Sequence, residues 1–318
     1  MKWRFVILAT CALLWAGSIG SNGGFGAGAP GHSHAVTPEG FEENQAFGYL
    51  KKITDLGPRP SGSQANYATQ QFILGTLHGY GISAEQDRFV AITPRGKISM
   101  NNIIAKIPGE SPEILIIAGH YDTKLFDSFR FVGANDGGSS AAFVLEMAHA
   151  LKQRKNLFTM WCVFFDGEEA VGEWSDNDSV YGSRHMVEEL RRQHLIEKVR
   201  AMILVDMIGD RDLDILKEGN STPWLNDIIW NSAAELGYQK EFVPRSFDIG
   251  GDDHFPFLRA GIPAVDLIDF DYGFSNAYWH SGQDTLDKCS ARSLGVVGNT
   301  LLRALPRIEA RLKRNPGH

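Results

Sequence analysis

The chain has 318 residues, of which 43% are hydrophobic and 22% charged, with a formal net charge of −7. That length suffices for one large domain or two small ones around a sizeable core. The acidic balance, with no basic cluster against it, argues against a nucleic-acid partner.

The first residues, MKWR, carry Lys2 and Arg4, and FVILATCALLWAG then runs mostly apolar into SIGSNGGFGAGAPG. This is the pattern of a secretory signal peptide, and the apolar run is short for a membrane span. An uncleaved N-terminal anchor is the alternative. Residues 1–30 are therefore read as signal peptide and lead-in, and residues 31–40 as a disordered linker. Without Lys2 and Arg4 the formal charge moves from −7 to −9. GAGAPG has spaced glycines but neither follows a strand nor opens a helix, so it is no dinucleotide site. His32 and His34 are read as solvated tail residues. With Cys11 in the leader, Cys162 and Cys289 remain. One disulfide is arithmetically possible, but Cys162 sits in the apolar WCVFF, and two unpaired thiols are expected.

From Phe41 the pattern is regular. FEENQAFGYLKKI predicts a helix, closed by the turn DLGPRPSGS, and QANYATQQFILGTLHGYG a second helix ending at glycine. ISAEQDRFVAI and ISMNNIIAKI are strand-like and joined by TPRGK as a hairpin. EILIIAGH is almost wholly apolar, as expected of a strand buried on both faces. SSAAFVLEMAHALKQ places Phe143, Val144, Met147, Ala148 and Leu151 on one helical stripe. FTMWCVFFD is the next buried strand, MVEELRRQHL a helix, AMILVDMIG a strand, TPWLNDIIWNSAAELG a helix and IPAVDLIDF a strand. A long helix is expected from about Asp284, with SLGVVGNTLLRAL as its apolar part. There is no internal repeat and no long linker. Apolar strands alternating with helices predict a single α/β domain over residues 41–318, with a mixed, mainly parallel central sheet.

In such a sheet, ligands bind beyond the carboxyl ends of the strands. EILIIAG is followed by His120 and Asp122, and Asp136 lies at the mouth of the next helix in GANDGGSS. FTMWCVFFD is followed by the adjacent glutamates Glu168 and Glu169, AMILV ends in Asp206, and YWHSGQD carries Trp279 and His280. Singly, each acid could be a cap and each histidine a structural hydrogen-bonding residue. Five separate segments delivering carboxylate or imidazole to one edge argue for a metal site. Oxygen and imidazole donors without paired thiolates suit catalytic zinc. The two-histidine helical metalloprotease motif and the serine nucleophile elbow are both absent. Adjacent residues at a strand end point in different directions, so one glutamate can bind metal while the other faces substrate as general acid/base. The pair's other reading is a solvated acidic turn. Asp206 and Asp252 could share protons with the second glutamate.

These residues resemble the zinc-dependent exopeptidases of the aminopeptidase type, and among them the glutaminyl-peptide cyclotransferases. The resemblance covers about residues 40–310. It is carried by AGHYDTK, FVGANDG, DGEEA with Trp174 following, WSDNDSVYGSRH, LVDMIGD, DDHFPFLRAGIP and the Trp279–His280 pair. It implies a three-layer sandwich of the zinc-exopeptidase type and an acyltransferase that closes N-terminal glutamine to pyroglutamate with release of ammonia. It further implies one zinc per chain, bound by Asp136, Glu169 and His280, with Glu168 as proton shuttle. Asp206 and Asp252 would complete the network of Glu168, Trp174 and Trp279 would flank the substrate, and His120 would serve a second metal or support the first. The chain differs from animal members in having Gly119 and the small residues around Ala142 where those have a cysteine pair, and Asp266 in place of histidine. Its DFDYGFSNAY loop is more similar to bacterial members. The implied protein is a secreted or periplasmic monomer acting on peptides, with no membrane insertion after leader cleavage. A secreted two-zinc aminopeptidase is the alternative.

Overall fold

Why so many polar side chains can meet at one place follows from how four apolar strands are ordered. A computed structural model describes residues 40–314. The expected leader over 1–30 and all but the last residue of the expected linker lie outside the described residues. The described residues belong to one compact unit.

Helix α1 (Glu43–Asp55) buries Ala46, Tyr49, Leu50 and Ile53, the i, i+3, i+4, i+7 spacing of a one-sided helix. Helix α2 (Gln64–Gly79) starts where the Ser63 hydroxyl accepts the Asn66 N–H at 3.1 Å. Strands β1 (Ala84–Thr93) and β2 (Gly96–Ile107) form the expected hairpin, tightened to the two-residue loop Pro94–Arg95. Strands β3 (Ser111–His120), β4 (Phe158–Phe165), β5 (Val199–Asp206) and β8 (Ala264–Ile268) complete a six-stranded sheet in the order β1-β2-β4-β3-β5-β8. The β3–β4, β3–β5 and β5–β8 pairs are parallel, and the two pairs involving β2 are antiparallel.

Alternation along these strands feeds two apolar layers. Leu115 and Ile117 pack with α1, α2, α3 (Ser140–Gln153), α5 (Pro223–Glu235) and α7 (Ala291–Arg314). Ile116 and Ala118 pack on the opposite face with α4 (Tyr181–Arg192) and α6 (Phe255–Arg259). The result is a three-layer α/β sandwich with a mainly parallel sheet. The carboxyl ends of β3, β4, β5 and β8 share one edge.

Three features depart from the periodicity. Strands β6 (Ile215–Glu218) and β7 (Phe242–Phe247) pair as a small parallel sheet, and with α6 they were not anticipated; they are too short to carry a pattern. Helix α7 begins at Ala291 rather than near Asp284. Residues before it are tied elsewhere: Ser290 N–H donates to Gly209 O at 2.9 Å, and the Ser290 hydroxyl accepts the Ser293 N–H at 3.1 Å. Cys162 on β4 and Cys289 ahead of α7 are buried and unpaired. Among the described residues no helix is long and apolar enough to cross a membrane.

Gly119, next to the end of β3, lets α3 approach the sheet. A Cβ there would lie 2.7 Å from Ser140 Cβ and 2.9 Å from Val205 O. Both neighbours are fixed by the elements that carry site residues. Gly119→Ala is therefore expected to destabilise the fold by about 1–3 kcal/mol through overpacking, read as a lowered urea midpoint with an unchanged slope.

Candidate active site

The edge is assembled from turns that regular structure leaves free. β3 ends at His120, and Asp122 follows. Asp136 sits in a kink before α3, at φ −76° and ψ 108°, with Gly137 at φ 73°. Gly167 (φ 74°) turns the chain after β4 and delivers Glu168 and Glu169. β5 ends at Asp206, and the segment after β8 brings Trp279 and His280. All five acids and both histidines are buried or nearly so.

His280 Nε2 lies 3.3 Å from Asp136 Oδ2 and 3.1 Å from Glu169 Oε1. Its ring stacks on Trp279 (4.0 Å between centroids) and meets Phe126 and Phe131 edge-on, which fixes where Nε2 points. Burial opposes protonation of His280, but Asp136 and Glu169 outweigh it and raise the imidazole to about 10. The Oδ2 of Asp136 has no well-formed hydrogen bond despite full burial. One donor atom from each of Asp136, Glu169 and His280 falls within a 4.8 Å span. A negative field strong enough to hold a proton on His280, together with an orphaned carboxylate oxygen, fits a divalent cation.

His120 shares Asp136. Its Nε2 lies 3.3 Å from Asp136 Oδ1 and 3.1 Å from Asp206 Oδ1, and its Nδ1 lies 3.5 Å from Asp122 and 4.0 Å from Glu168. His120, Asp136 and Asp206 form a second group of metal-compatible span. Burial disfavours charge on His120, yet Asp206, Asp122 and Asp136 raise it well above the ordinary histidine value. Burial, with the charges of Asp252, Glu169 and Asp253, drives Glu168 well above the usual carboxylate range against the pull of His120.

Glu168, Glu169, Asp136, Asp206, Asp252, Trp174, Trp279 and His280 all line one cavity of about 380 Å³. Its remaining wall is largely apolar, with Ile249, Ile268 and Phe270, and Lys124 reaches to 3.9 Å from Glu169 Oε2. Trp174 and Trp279 are 47% and 37% exposed, which puts them at the mouth. A pocket of this size with apolar walls and converging polar groups suits a small or terminal ligand group. Of the candidate site residues all but His120 line this cavity, and His120 contacts two that do, Asp136 and Asp206.

Three supporting roles were not read from the sequence, although Asp122 itself was among the candidate donors. Asp122 accepts the backbone N–H groups of Glu168 (3.1 Å) and Glu169 (3.3 Å), and so aims the glutamate pair. Asp284 accepts from Asn135 N–H (2.7 Å), Asp136 N–H (3.1 Å) and the Tyr272 hydroxyl (2.9 Å), which holds the kink that presents Asp136. Arg59, with no exposed surface, donates to Tyr121 O (2.7 Å), Val132 O, Gly133 O (2.7 Å) and Asp136 O (3.3 Å). Asp122 and Asp284 were in view as parts of HYD and HSGQD, but Arg59 lay in a segment legible only as a turn.

Residues 102–305 match the model of peptidase family M28. The chain is 30% identical over 285 residues to the glutaminyl-peptide cyclotransferase of Bos taurus, covering 76% of this chain and 78% of that protein. It is 30% identical over 267 residues to the Bos taurus glutaminyl-peptide cyclotransferase-like protein, spanning 66% of that protein's length. The crystal structure of an Acidobacteriales bacterium glutaminyl cyclase superposes with a TM-score of 0.82 at 36% identity, covering 90% of this chain and all of that one.

Asp284→Asn would turn one acceptor into a donor facing a backbone N–H. It is expected to weaken divalent-cation affinity by about 10–100-fold, the usual scale for groups supporting a ligand, while the folded circular dichroism signal persists. Chelator competition measures the affinity; unchanged affinity would contradict the positioning role.

Proposed function

The chain belongs to peptidase family M28 and within it to the glutaminyl-peptide cyclotransferases, and from that premise we propose that it converts N-terminal glutamine of peptides to pyroglutamate with release of ammonia. The observation that carries this reading is the single cavity in which Glu168 stands beside the Asp136–Glu169–His280 group between two tryptophans. Asp136, Glu169 and His280 would hold one zinc per chain. When bound there, zinc supplies a Lewis acid for the substrate's side-chain carbonyl.

The chain's own residues do the rest. Trp174 and Trp279 present flat walls suited to a neutral amide side chain. They favour a folded pose in which the α-amine already faces its own side-chain carbonyl, so attack is intramolecular. The new C–N bond closes the five-membered lactam, and the bond to the side-chain amide nitrogen breaks. Glu168 takes the proton from the attacking amine and returns it to that nitrogen, which leaves as ammonia. Burial favours the protonated form of Glu168, which suits a group that must hold a proton between the two steps. Asp206, joined to His120, and Asp252, on the same cavity wall, complete the acid network around Glu168. The catalyst is proposed to be a monomer. The leader-like pattern of residues 1–30 supports secretion or a periplasmic location, with residues 41–318 as the catalytic domain.

The His120–Asp136–Asp206 group favours one other reading, a two-zinc aminopeptidase. Mass spectrometry of a Gln-initiated and a Leu-initiated peptide separates the two. The cyclase reading expects loss of ammonia from the first and no residue removed from either; free leucine would overturn it. Glu168→Gln is expected to lower turnover by about 10²–10⁴-fold, the range for loss of a general acid/base, with zinc content unchanged. A variant of full activity would remove Glu168 from the shuttle role.

A further inference from the structure

The two tryptophans at the cavity mouth are held by different means. Trp279 stacks on His280, 4.0 Å between centroids, and meets Phe270 at 5.0 Å. Trp174 is 47% exposed, and among the described residues no aromatic ring or cation packs against it. Its indole lies against the bare backbone of Gly251, where an added Cβ would meet Nε1 at 3.8 Å. The place of this wall is therefore set by the backbone of its own loop.

That loop, residues 171–178, forms no helix or strand, and residues 172–177 are all exposed. Asp178 alone among them is buried. Its carboxylate accepts the Val171 N–H at Oδ1 (2.9 Å) and the Gly172 N–H at Oδ2 (2.8 Å). Oδ1 also accepts the Tyr181 hydroxyl (2.7 Å), and the Asp178 N–H donates back to Ser175 O (3.0 Å). One side chain thus joins the entry of the loop to its exit and to the start of α4. The exit is bonded in turn to the glutamate turn, with Val180 N–H on Glu168 O (2.8 Å) and Tyr181 N–H on Gly167 O (2.7 Å). Gly172 permits the approach, since a Cβ there would stand 3.0 Å from Asp178 Oδ2. Outside this clasp Asp176 pairs with Arg259 at 3.1 Å, but both side chains are mostly exposed, and such a pair contributes little.

We propose that Asp178 is a positioning residue for the substrate: it closes the loop that presents Trp174, and so governs how tightly the glutamine side chain is held, without touching metal or substrate. The proposal rests on the reading of the cavity as the pocket for an N-terminal glutamine. Hydrogen bonds to a carboxylate are stronger than neutral ones, and without them the two N–H groups lose their only acceptor inside the loop. An exposed loop released in this way samples many conformations, and binding must order it again. The contact with Trp174 is already made in the bound ground state, so its loss appears in KM rather than in kcat.

The test compares the wild-type chain with Asp178→Asn, Trp174→Ala and the double variant on a Gln-initiated peptide. Asp178→Asn keeps the size of the side chain but turns one acceptor into a donor facing a backbone N–H. It is expected to raise KM about tenfold, the scale of one or two net hydrogen bonds, with kcat within about threefold and zinc content unchanged. In the Trp174→Ala background the same change should leave KM nearly where it was, because Asp178 acts through Trp174. An equal rise in both backgrounds, or a fall in kcat alone, overturns the proposal. A second readout needs no turnover. A protease that cuts after glutamate should cleave the exposed Glu173–Trp174 bond about tenfold faster in Asp178→Asn than in the wild type, with the fragments identified by mass. Equal cleavage overturns the clasp. If the wild type does not cyclise glutamine while the variant is still cut faster, the cyclase reading fails and the clasp stands. Should Asp178→Asn not fold, Asp178→Ser, which keeps one short acceptor, carries the same comparisons.

Discussion

One edge of the central sheet gathers Asp122, Asp136, Asp166, Glu168, Glu169, Asp206, Asp252, Asp253, Asp266 and Asp284, all buried. A buried carboxylate is tolerated only when hydrogen-bonded, paired, protonated or bound to a cation. Much of the local structure is a set of answers to that demand. Asp122 and Asp284 take backbone N–H groups. Asp166 takes the Ser61 hydroxyl (2.7 Å), the Asn66 amide (3.0 Å) and the Asn101 N–H (2.9 Å), which pins α2 and β2 to the end of β4. His120 bridges Asp136 and Asp206. What these leave over, at Asp136 with Glu169, is negative charge met by the imidazole of His280 and by Lys124 at 3.9 Å from Glu169.

The supporting acids therefore act through the backbone as much as through charge. By accepting two successive N–H groups, Asp122 converts a turn into a platform for two adjacent glutamates. Asp284 does the same for the kink at Asp136, and Arg59 satisfies the carbonyls on its other side. The donor atoms are thus positioned by a framework that does not itself touch the ligand. Burial in that framework holds Arg59 at about 10, still fully charged at neutral pH, where it partly offsets Asp284, Asp122 and Asp136.

The buried strands were legible because both faces are covered, so apolar residues run unbroken through EILIIAGH and FTMWCVFFD. Acids placed just after such runs were legible as a site because strand order brings their ends together. Glu168, Glu169 and Asp206 needed nothing more than that rule. Trp174 and the WSDNDSVYGSRH loop needed the resemblance, since a tryptophan in a polar loop has no periodic signature. Arg59, the late start of α7 and the β6–β7 pair were not legible. Each depends on partners far away in sequence: carbonyls more than sixty residues on for Arg59, Gly209 for Ser290, and a short strand that is defined only by its neighbour. Local pattern has no term for such contacts.

Cys162 lies sealed within β4, and burial pushes its thiol far up, so it stays protonated; only the thiolate reacts readily with oxidants. Cys289 is sealed in the same way beside Asp284 and Asp210. Neither is cross-linked, and every tie described above is a hydrogen bond, an ion pair or a packing contact. The folded ground state of residues 40–314 consequently carries no dependence on the thiol–disulfide balance of its surroundings. A reducing medium and an oxidising one would leave the same domain standing.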